Sequence, residues 1–379
     1  MNNKLAPTYQ RMFGKYWVLW YFKSNNYSVI ETEFKTLLDF YLHSDTLDEF
    51  SAKISSVDDV SDVKTVVNNL DTYLESCNAS SASQLDASPA YKTSKRHIER
   101  QYRIKDKLIT IFYDTDLVEK TIHPSLAHLE TNAQPKKSAI TFDLYTDNGQ
   151  LNLFKNQQLI TSVPQRDYHL VQGKFIMQLL TVIHAKEESD WIGTFHGSTV
   201  SDGTNSVLFI GKSGKGKSTL CALLAAHGFE LLADDVSPML SDNSHIYHNP
   251  TAISIKEGAF GTLQPMVPGF DDLPITLFNT TKGSLKYIPT KSPNKDNYPC
   301  KAIIMVNYEP NSKTQLESAS VKEILETLIP DSWLSNHPKH AEQFLDWLVA
   351  TPLYQITYSD TERVIETISA VFNGLEDNY

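Results

Sequence analysis

The chain has 379 residues, which suggests two or three domains at about 150 residues each. It is 41% hydrophobic and 21% charged, a composition typical of soluble globular proteins and too apolar for wholesale disorder. Its formal net charge of −11 disfavours general binding to nucleic acid or to an anionic membrane.

The cysteines and the apolar runs indicate the cellular compartment in which the protein is expected. Cys77, Cys221 and Cys300 are far apart and odd in number, so they predict neither a disulfide framework nor a zinc site. No run approaches the roughly 20 apolar residues of a membrane span, and the first residues do not resemble a signal peptide. These features predict a cytoplasmic protein with no membrane partner.

Residues 1–80 are predicted to form a small α+β unit. Two aromatic and β-branched runs, 16–22 and 27–30, flank a polar turn and predict a hairpin. We expect three helices after it. The first covers residues 31–43, and the third begins at about residue 61. The second begins at a capping box formed by Thr46 and Glu49 and is expected to bury Leu47, Phe50 and Ile54.

A linker and a second, larger unit are predicted next. Residues 81–94 are mostly small and polar, as in flexible linkers. The remaining chain, 95–379, is expected to form one unit with a β-rich part at 95–190. Its predicted elements are strands at 108–113, 139–145, 151–154 and 159–163 and a helix at 170–186.

Residues 211–218 match the phosphate-loop pattern G-x-x-x-x-G-K-[ST] without a gap. A predicted strand at 206–210 precedes them and a predicted helix follows. Glycines let main-chain amides and the helix N-terminus approach a phosphate chain, while a lysine contacts its outer phosphates. A ligand-free turn would not explain Lys217 and Ser218 in register with both glycines. The predicted nucleotide-binding residues are Gly211, Ser213, Gly214, Lys215, Gly216, Lys217, Ser218 and Thr219.

Two carboxylates, Asp234 and Asp235, follow a predicted apolar strand at 229–233. In proteins with a phosphate loop this is the usual place for acidic groups of the site. One can hold Mg²⁺ together with Ser218, and the other can accept a proton from an attacking hydroxyl. The alternative is a solvated aspartate pair that opens a turn.

These residues together resemble the kinase domain of HPr kinase/phosphorylase and related bacterial serine kinases. His196-Gly197, the phosphate loop and Ala233-Asp234-Asp235 stand in ungapped register, with His196 21 positions before Lys217 and Asp235 17 positions after Ser218. The resemblance covers about residues 95–375. It implies an α/β phosphate-loop kinase fold of the PEP carboxykinase-like type, with a nucleotide-binding core at 191–379. It also implies ATP and Mg²⁺ as cofactors.

The same resemblance assigns roles to individual residues. His196 would assist catalysis, Lys217 would bind phosphate and Asp235 would be the base that deprotonates a serine. The loop is similar in style to divergent kinases that modify ribosomally made peptides. The family's metal-binding glutamate falls at Ser254 here, and Glu257, three residues on, is the displaced metal candidate. Lys256 is a candidate contact to phosphate or substrate.

The N-terminal unit resembles the PqqD-like peptide-recognition domains of ribosomal-peptide tailoring enzymes in its order of hairpin and helices. Such domains bind a leader peptide as an added strand. A winged-helix DNA-binding domain has a similar pattern, but residues 1–85 carry seven Lys and Arg against eleven Asp and Glu, which disfavours DNA. A purely structural or dimerising domain stays open.

Three other clusters are not expected to form functional sites. The run Asn294–Asn297 lacks the aspartate with which GTPases read guanine, and His245 and His248 are expected to flank a strand. A basic cluster after the linker is expected to be a solvated face; its members are Lys95, Arg96, His97, Arg100 and Arg103.

The leading hypothesis is therefore an ATP-dependent serine kinase whose partner is a precursor peptide or small protein that carries the acceptor serine. Two alternatives stay open: a regulator that hydrolyses ATP slowly, and a kinase for a small molecule such as free serine. Relatives of the resembled family often assemble, so a homo-oligomer is also an open expectation.

Overall fold

The structure, a computed structural model, describes residues 3–55, 62–79, 89–131, 140–277 and 283–374. It is a mixed α/β architecture in which the described residues form sheets of three, ten, three and five strands. Residues 81–88 of the predicted linker lie outside the described residues. Within those ranges, no helix is both long enough and apolar enough to cross a bilayer.

The N-terminal unit is a three-stranded antiparallel sheet followed by three helices. The predicted hairpin and helices are confirmed, and the sequence missed only the first strand of the sheet. The predicted burial of Leu47 is wrong, since this side chain is 40% exposed at the start of its helix. The elements are β1 (Tyr9–Phe13), β2 (Tyr16–Tyr21), β3 (Asn26–Glu31), α1 (Thr32–Leu42), α2 (Leu47–Ser55) and α3 (Val63–Asn78).

A five-stranded sheet in the order β4-β5-β6-β7-β8 follows, with helix α6 packed on one face. The predicted strands and helix are confirmed, and β4 is an additional strand. The elements are β4 (Ile98–Ile104), β5 (Lys107–Tyr113), α4 (Asp116–Glu119), α5 (His123–Leu126), β6 (Ile140–Asp147), β7 (Gln150–Lys155), β8 (Gln158–Pro164) and α6 (Tyr168–His184).

The basic cluster near β4 corrects one expectation. Arg96 donates hydrogen bonds from Nε and Nη2 to the buried carboxylate of Asp143, at 2.5 and 2.9 Å. Arg100 donates to Glu119 at 2.6 Å. These two arginines therefore form ion pairs within the protein and are not parts of a solvated face. The fold brings Asp143 and Glu119, which are distant in sequence, beside them.

A ten-stranded sheet contains the predicted phosphate loop. Its order is β12-β10-β11-β18-β14-β13-β9-β20, with β21 beside β18 and β19 beside β21. Strand β11 lies parallel to β18, and β18 parallel to β21. The first part comprises β9 (Trp191–His196), β10 (Ser198–Ser201), β11 (Ser206–Ile210), α7 (Lys217–Ala226), β12 (Glu230–Ala233), β13 (Val236–Leu240) and β14 (His245–Tyr247).

The last part of the chain completes that sheet and adds a small three-stranded one, in the order β15-β17-β16. The run Asn294–Asn297 is a loop as far as Asn297, which begins β18. The elements are β15 (Ile253–Lys256), α8 (Phe260–Leu263), β16 (Thr276–Leu277), β17 (Ser284–Ile288), β18 (Asn297–Tyr308), β19 (Gln315–Ser318), α9 (Val321–Leu328), β20 (Trp333–Leu334), α10 (Pro338–Ala350), β21 (Leu353–Tyr358) and α11 (Thr361–Asn373).

The N-terminal sheet is buried on both faces. One face packs on α1–α3 through residues such as Leu19 and Tyr21. The other, which carries Val18 and Trp20, packs in one apolar cluster with α10. The unit is thus fixed on the larger one by a shared core, to which a 2.6 Å ion pair between Arg11 of β1 and Asp346 of α10 adds at the rim.

Candidate functional site

The predicted phosphate loop joins the fully buried strand β11 to helix α7. Gly211, Gly214 and Gly216 have φ values of 151°, 84° and 94°, which L side chains rarely adopt. A Cβ at Gly211 would lie 2.9 Å from the carbonyl oxygen of Val306, and one at Gly216 would lie 2.9 Å from Tyr358 Oη. Gly211 and Gly216 therefore let the loop lie directly against neighbouring strands, whereas Gly214 faces open space.

Two tyrosines bind main-chain oxygens of the loop. Tyr308 N donates to the carbonyl oxygen of Lys215 at 3.0 Å, and Tyr358 Oη donates to that of Gly216 at 3.4 Å. Their rings meet edge to face, 5.5 Å apart. Both stand at the carboxyl ends of strands β18 and β21, more than 90 residues from the loop in sequence. Sequence analysis missed them because no local pattern links them to it.

Lys217 is the buried cation of the loop. It is 8% exposed, and its ammonium donates to the carbonyl oxygen of Gly211 at 2.5 Å. Burial lowers the pKa of Lys217, and the charges of Asp235 and Asp234 oppose this shift. The loop thus confines a poorly solvated positive charge, which favours binding of an anion beside it.

Asp234 is a buried carboxylate, 2% exposed, that three donors hold in place. Its Oδ1 accepts from the hydroxyls of Ser218 and Ser198, at 2.9 and 2.7 Å, and its Oδ2 accepts from Ser254 N at 3.1 Å. Burial, with the neighbouring charge of Asp235, raises the pKa of Asp234 while these bonds oppose the rise. A nearby cation would stabilise its charged form. Sequence analysis missed Ser198 in this role, although it directly follows the His196-Gly197 pair.

The donor set at Ser218 and Asp234 fits Mg²⁺. Both supply hard oxygen ligands, and Mg²⁺ usually takes one or two protein ligands and completes its shell with water and substrate phosphates. The described residues contain no group of three or more His, Cys, Asp or Glu side chains arranged for a metal ion. A fully protein-enclosed metal centre is therefore not built here, whereas a shared protein and phosphate site is compatible with the residues.

Asp235 stands at a strained turn. Its φ is 66°, and Val236 N donates to the carbonyl oxygen of Asp234 at 2.8 Å, so Asp235 is the central residue of a γ-turn with positive φ. Such conformations cost of the order of 1–3 kcal/mol and cluster at functional sites. The turn separates the two carboxylates: Asp234 is buried, while the Asp235 side chain is 65% exposed.

His196 lies beside Asp235 because strands β9 and β13 pair in a register that places it opposite Val236. Its Nδ1 is 3.4 Å from Asp235 Oδ1, and its main-chain N donates to Ser332 Oγ at 2.9 Å. Gly197 N donates to the main-chain oxygen of Asp235 at 3.2 Å. The His-Gly pair is thus bonded to the aspartate turn through both side chain and main chain.

The remaining candidate residues differ in whether they contact the predicted phosphate loop. Lys256, at the end of β15, donates from Nζ to Ser213 Oγ at 3.0 Å, so it reaches the phosphate loop. Glu257 is exposed at the start of a short 3-10 turn, and within the described residues it makes no contact with Ser218 or Asp234. Its role as a metal ligand therefore stays a prediction. Lys215 is exposed and Thr219 is half-buried behind the loop.

A cavity of about 1370 Å³ opens on these residues. Ser213, Lys256, Asp234, Asp235 and His196 line one side of it. The other side is formed by strand β8 and the N-terminal half of α6, from the five-stranded sheet. The exposed carboxylate of Asp235 therefore faces a space much larger than a phosphate group.

Comparison with solved structures shows a structural likeness to a kinase/phosphatase. The HPr(Ser) kinase/phosphatase from Coxiella burnetii matches with 14% sequence identity and a TM-score of 0.23, over 48% of this chain and 93% of that chain. No protein-family model and no curated protein matches the sequence.

Proposed function

We propose that this chain is an ATP- and Mg²⁺-dependent kinase that phosphorylates a serine hydroxyl of a peptide or small protein. One observation carries the proposal. The exposed carboxylate of Asp235 shares a cavity with Ser213 of the loop that contains Lys217 and with Asp234, which accepts a hydrogen bond from the Ser218 hydroxyl. A base, a phosphate-binding loop and a metal-ligating pair are the parts that phosphoryl transfer to a hydroxyl requires.

The donor nucleotide would lie with its phosphates on residues 211–218. The loop amides and the N-terminus of α7 offer positive dipoles there, and Lys217 can exchange its bond to the Gly211 carbonyl for one to a phosphate oxygen. Mg²⁺ bound at Ser218 and Asp234 would neutralise charge that develops on the transferring phosphoryl group. Lys256, held at Ser213, adds a second cation at the loop's outer side.

The acceptor serine would approach Asp235 from the cavity. The carboxylate takes the hydroxyl proton as the serine oxygen bonds to the γ-phosphorus, and the bond from that phosphorus to the bridging oxygen breaks to release ADP. His196, whose Nδ1 lies 3.4 Å from Asp235 Oδ1, would hold that carboxylate in position. The strained turn at Asp235 keeps this carboxylate away from Asp234, so the two can serve as base and metal ligand separately.

The N-terminal unit would recruit the substrate, for which we propose a ribosomally synthesised precursor peptide. Strand β3 lies at an edge of the three-stranded sheet, next to α3, where a peptide can pair as an additional strand. The net acidity of residues 1–85 supports a peptide rather than a nucleic acid as the partner. The shared core with α10 supports recruitment close to the kinase unit.

The test is to incubate the full chain with MgATP and three acceptors in parallel: a library of short serine-containing peptides, free serine, and water alone. Intact-mass analysis should show one phosphate added to peptides, and Asp235→Asn should abolish the gain. Asp272→Asn, an exposed aspartate away from the cavity, serves as the matched control. Phosphorylation of free serine alone, or ATP hydrolysis with no acceptor modified, would contradict the proposal.

A further inference from the structure

Strand β8 lies at the edge of the five-stranded sheet and forms part of the cavity wall. In the sheet order β4-β5-β6-β7-β8, the described residues place only β7 beside it. Four consecutive residues of β8, 161–164, line the cavity. Consecutive strand residues point to opposite faces, so a cavity that contacts all four lies along the strand's edge rather than over one face.

The pairing with β7 shows which main-chain groups reach that edge. Gln165 N donates to the Gly149 carbonyl oxygen at 3.1 Å, just beyond the end of the ladder. Because alternate residues of an antiparallel strand bond the same neighbour, Val163 also bonds β7, whereas Ser162 and Pro164 turn their main-chain groups to the free edge. Pro164 agrees with this, since proline is tolerated where no ladder donor is needed. Among the described residues, nothing bonds the amide of Ser162 on that side.

The size of the cavity favours an extended ligand. At about 1370 Å³ it exceeds the roughly 300–1,000 Å³ typical of small-molecule pockets. Asp235 and His196 line the same cavity, so a chain paired with β8 can continue towards the proposed base.

The charges along this wall are largely cancelled. Lys174 of α6 lies 3.1 Å from Glu188, and Glu188 also accepts from Gln178 at 2.9 Å. Exposed apolar surface is present as well, since Leu170 is 51% exposed at the cavity. A neutral, partly apolar wall with a free strand edge suits recognition of a peptide main chain better than recognition of a strongly charged group.

We propose that the free edge of β8 is the acceptor site, where an extended peptide segment pairs as a sixth strand through the main chain of Ser162 and delivers its serine to Asp235. This inference rests on the proposed kinase function and specifies its substrate class. It is distinct from recruitment by the N-terminal sheet, because it concerns the segment that contains the acceptor serine itself. Main-chain pairing would make selection at this site tolerant of sequence around the serine.

The first test compares two variants at one position. Ser162→Pro removes the amide donor that faces the cavity without removing a bond to β7, whereas Ser162→Ala keeps the donor and removes only the hydroxyl. The substrate is a library of short peptides that share one central serine. We expect the KM for this library to rise about tenfold in Ser162→Pro, because one to two main-chain hydrogen bonds are lost. In Ser162→Ala we expect KM to rise less than about twofold. ATP affinity, measured by calorimetry, reports whether each variant is folded. Equal KM values in two folded variants would overturn the proposal.

The second test needs no catalysis and no variant. Residue-level hydrogen–deuterium exchange is measured on the full chain with MgADP, with and without the same peptide library. Peptide binding should slow exchange of the Ser162 amide, because that amide acquires an acceptor. Protection without phosphorylation would support this site and contradict the serine kinase function. Phosphorylation without protection would overturn this site and leave the kinase function standing, and the absence of both would overturn the site.

Discussion

Asn25, in the turn between β2 and β3, donates from Nδ2 to the main-chain oxygen of Leu334 in β20, at 2.9 Å. Its Oδ1 accepts from the indole Nε1 of Trp20, which is fully buried, also at 2.9 Å. The residue has a φ of 54°, a value that asparagine adopts more readily than most residues. One amide therefore joins the N-terminal unit to β20, which pairs with β9 and contains the cavity residue Trp333.

Replacing Asn25 should loosen this junction. Asn25→Ala leaves the buried indole without its acceptor and the Leu334 oxygen without its donor, so we expect unfolding free energy to fall by about 1–3 kcal/mol. Asn25→Asp keeps the acceptor for Trp20 but sets a carboxylate oxygen against the Leu334 oxygen, so it should also lower the unfolding free energy. Urea unfolding followed by tryptophan fluorescence measures both, and a variant Asn25→Ala as stable as the native chain would contradict the role assigned to Asn25.

Lys217 should dominate nucleotide binding. Because this buried ammonium has only the Gly211 carbonyl as an acceptor in the loop, Lys217→Ala should weaken ATP binding by about 10–100-fold, the loss of a charge-assisted bond worth about 1.5–3 kcal/mol. Lys212 lies in the same loop but is exposed, so Lys212→Ala is the matched control with a much smaller effect. Isothermal titration with MgATP compares the two, and equal affinities would contradict the assignment.

The loop glycines should differ in their tolerance of a side chain. Gly214→Ala and Gly216→Ala both place alanine at a positive φ, which costs about 1–2 kcal/mol. Only Gly216→Ala also brings a Cβ to 2.9 Å from Tyr358 Oη and 3.0 Å from Tyr308 Cβ, so it should cost about 1–3 kcal/mol more. Thermal unfolding measures the difference. Equal destabilisation would mean that the two tyrosines do not hold the loop closely.

Stability should fall in mild acid because of three buried histidines. Burial lowers the pKa of His128 and His184 to about 4, and that of His248 to about 3, from an ordinary value of 6.5. The unfolded chain therefore binds more protons than the folded chain between about pH 6.5 and pH 4. The contribution of these histidines to the free energy of unfolding is fully present above pH 6.5. It decreases as the pH falls, by at most about 1.4 kcal/mol per pH unit for each histidine.

Urea unfolding of the native chain and of His184→Gln at several pH values tests this prediction. His184 donates from Nε2 to the main-chain oxygen of His248 at 2.8 Å, a bond that glutamine can retain without titrating. The slope of unfolding free energy against pH should be smaller in the variant. Parallel slopes in the native chain and the variant would show that the acid loss arises elsewhere.

Local sequence patterns predicted the elements whose signals lie within a few residues. The strand and helix that flank residues 211–216, the strand before the aspartate pair and the amphipathic helix α3 all depend on short spacings, and the structure has these elements at those positions. Strand β4 escaped prediction because Arg100 and Arg103 interrupt its apolar pattern. The acidic partners of Arg100, Glu119 and Glu130, lie 19 and 30 positions further along the chain.

The parts of the candidate site that sequence analysis missed are long-range contacts. Ser332 accepts from His196 N across 136 positions, and Tyr358 contacts Gly216 across 142. Neither residue belongs to a motif, because Ser332 directly precedes β20 and Tyr358 ends β21, and the fold brings both to the site from distant parts of the chain. The sequence also did not predict the γ-turn at Asp235, since this turn is set by the positions of β12 and β13 rather than by a turn-forming residue.

The most direct measurement is transfer of the γ-phosphate of ATP to a serine peptide by the native chain and by Asp235→Asn, with ATP affinity measured for both. The carboxylate is 65% exposed and lies outside the phosphate loop, so the variant should fold and bind MgATP as the native chain does. Its transfer rate should fall at least about 100-fold, the contribution of a general base, and tandem mass spectrometry should place the phosphate of the native reaction on serine. An Asp235→Asn variant that transfers phosphate at the native rate would contradict the account.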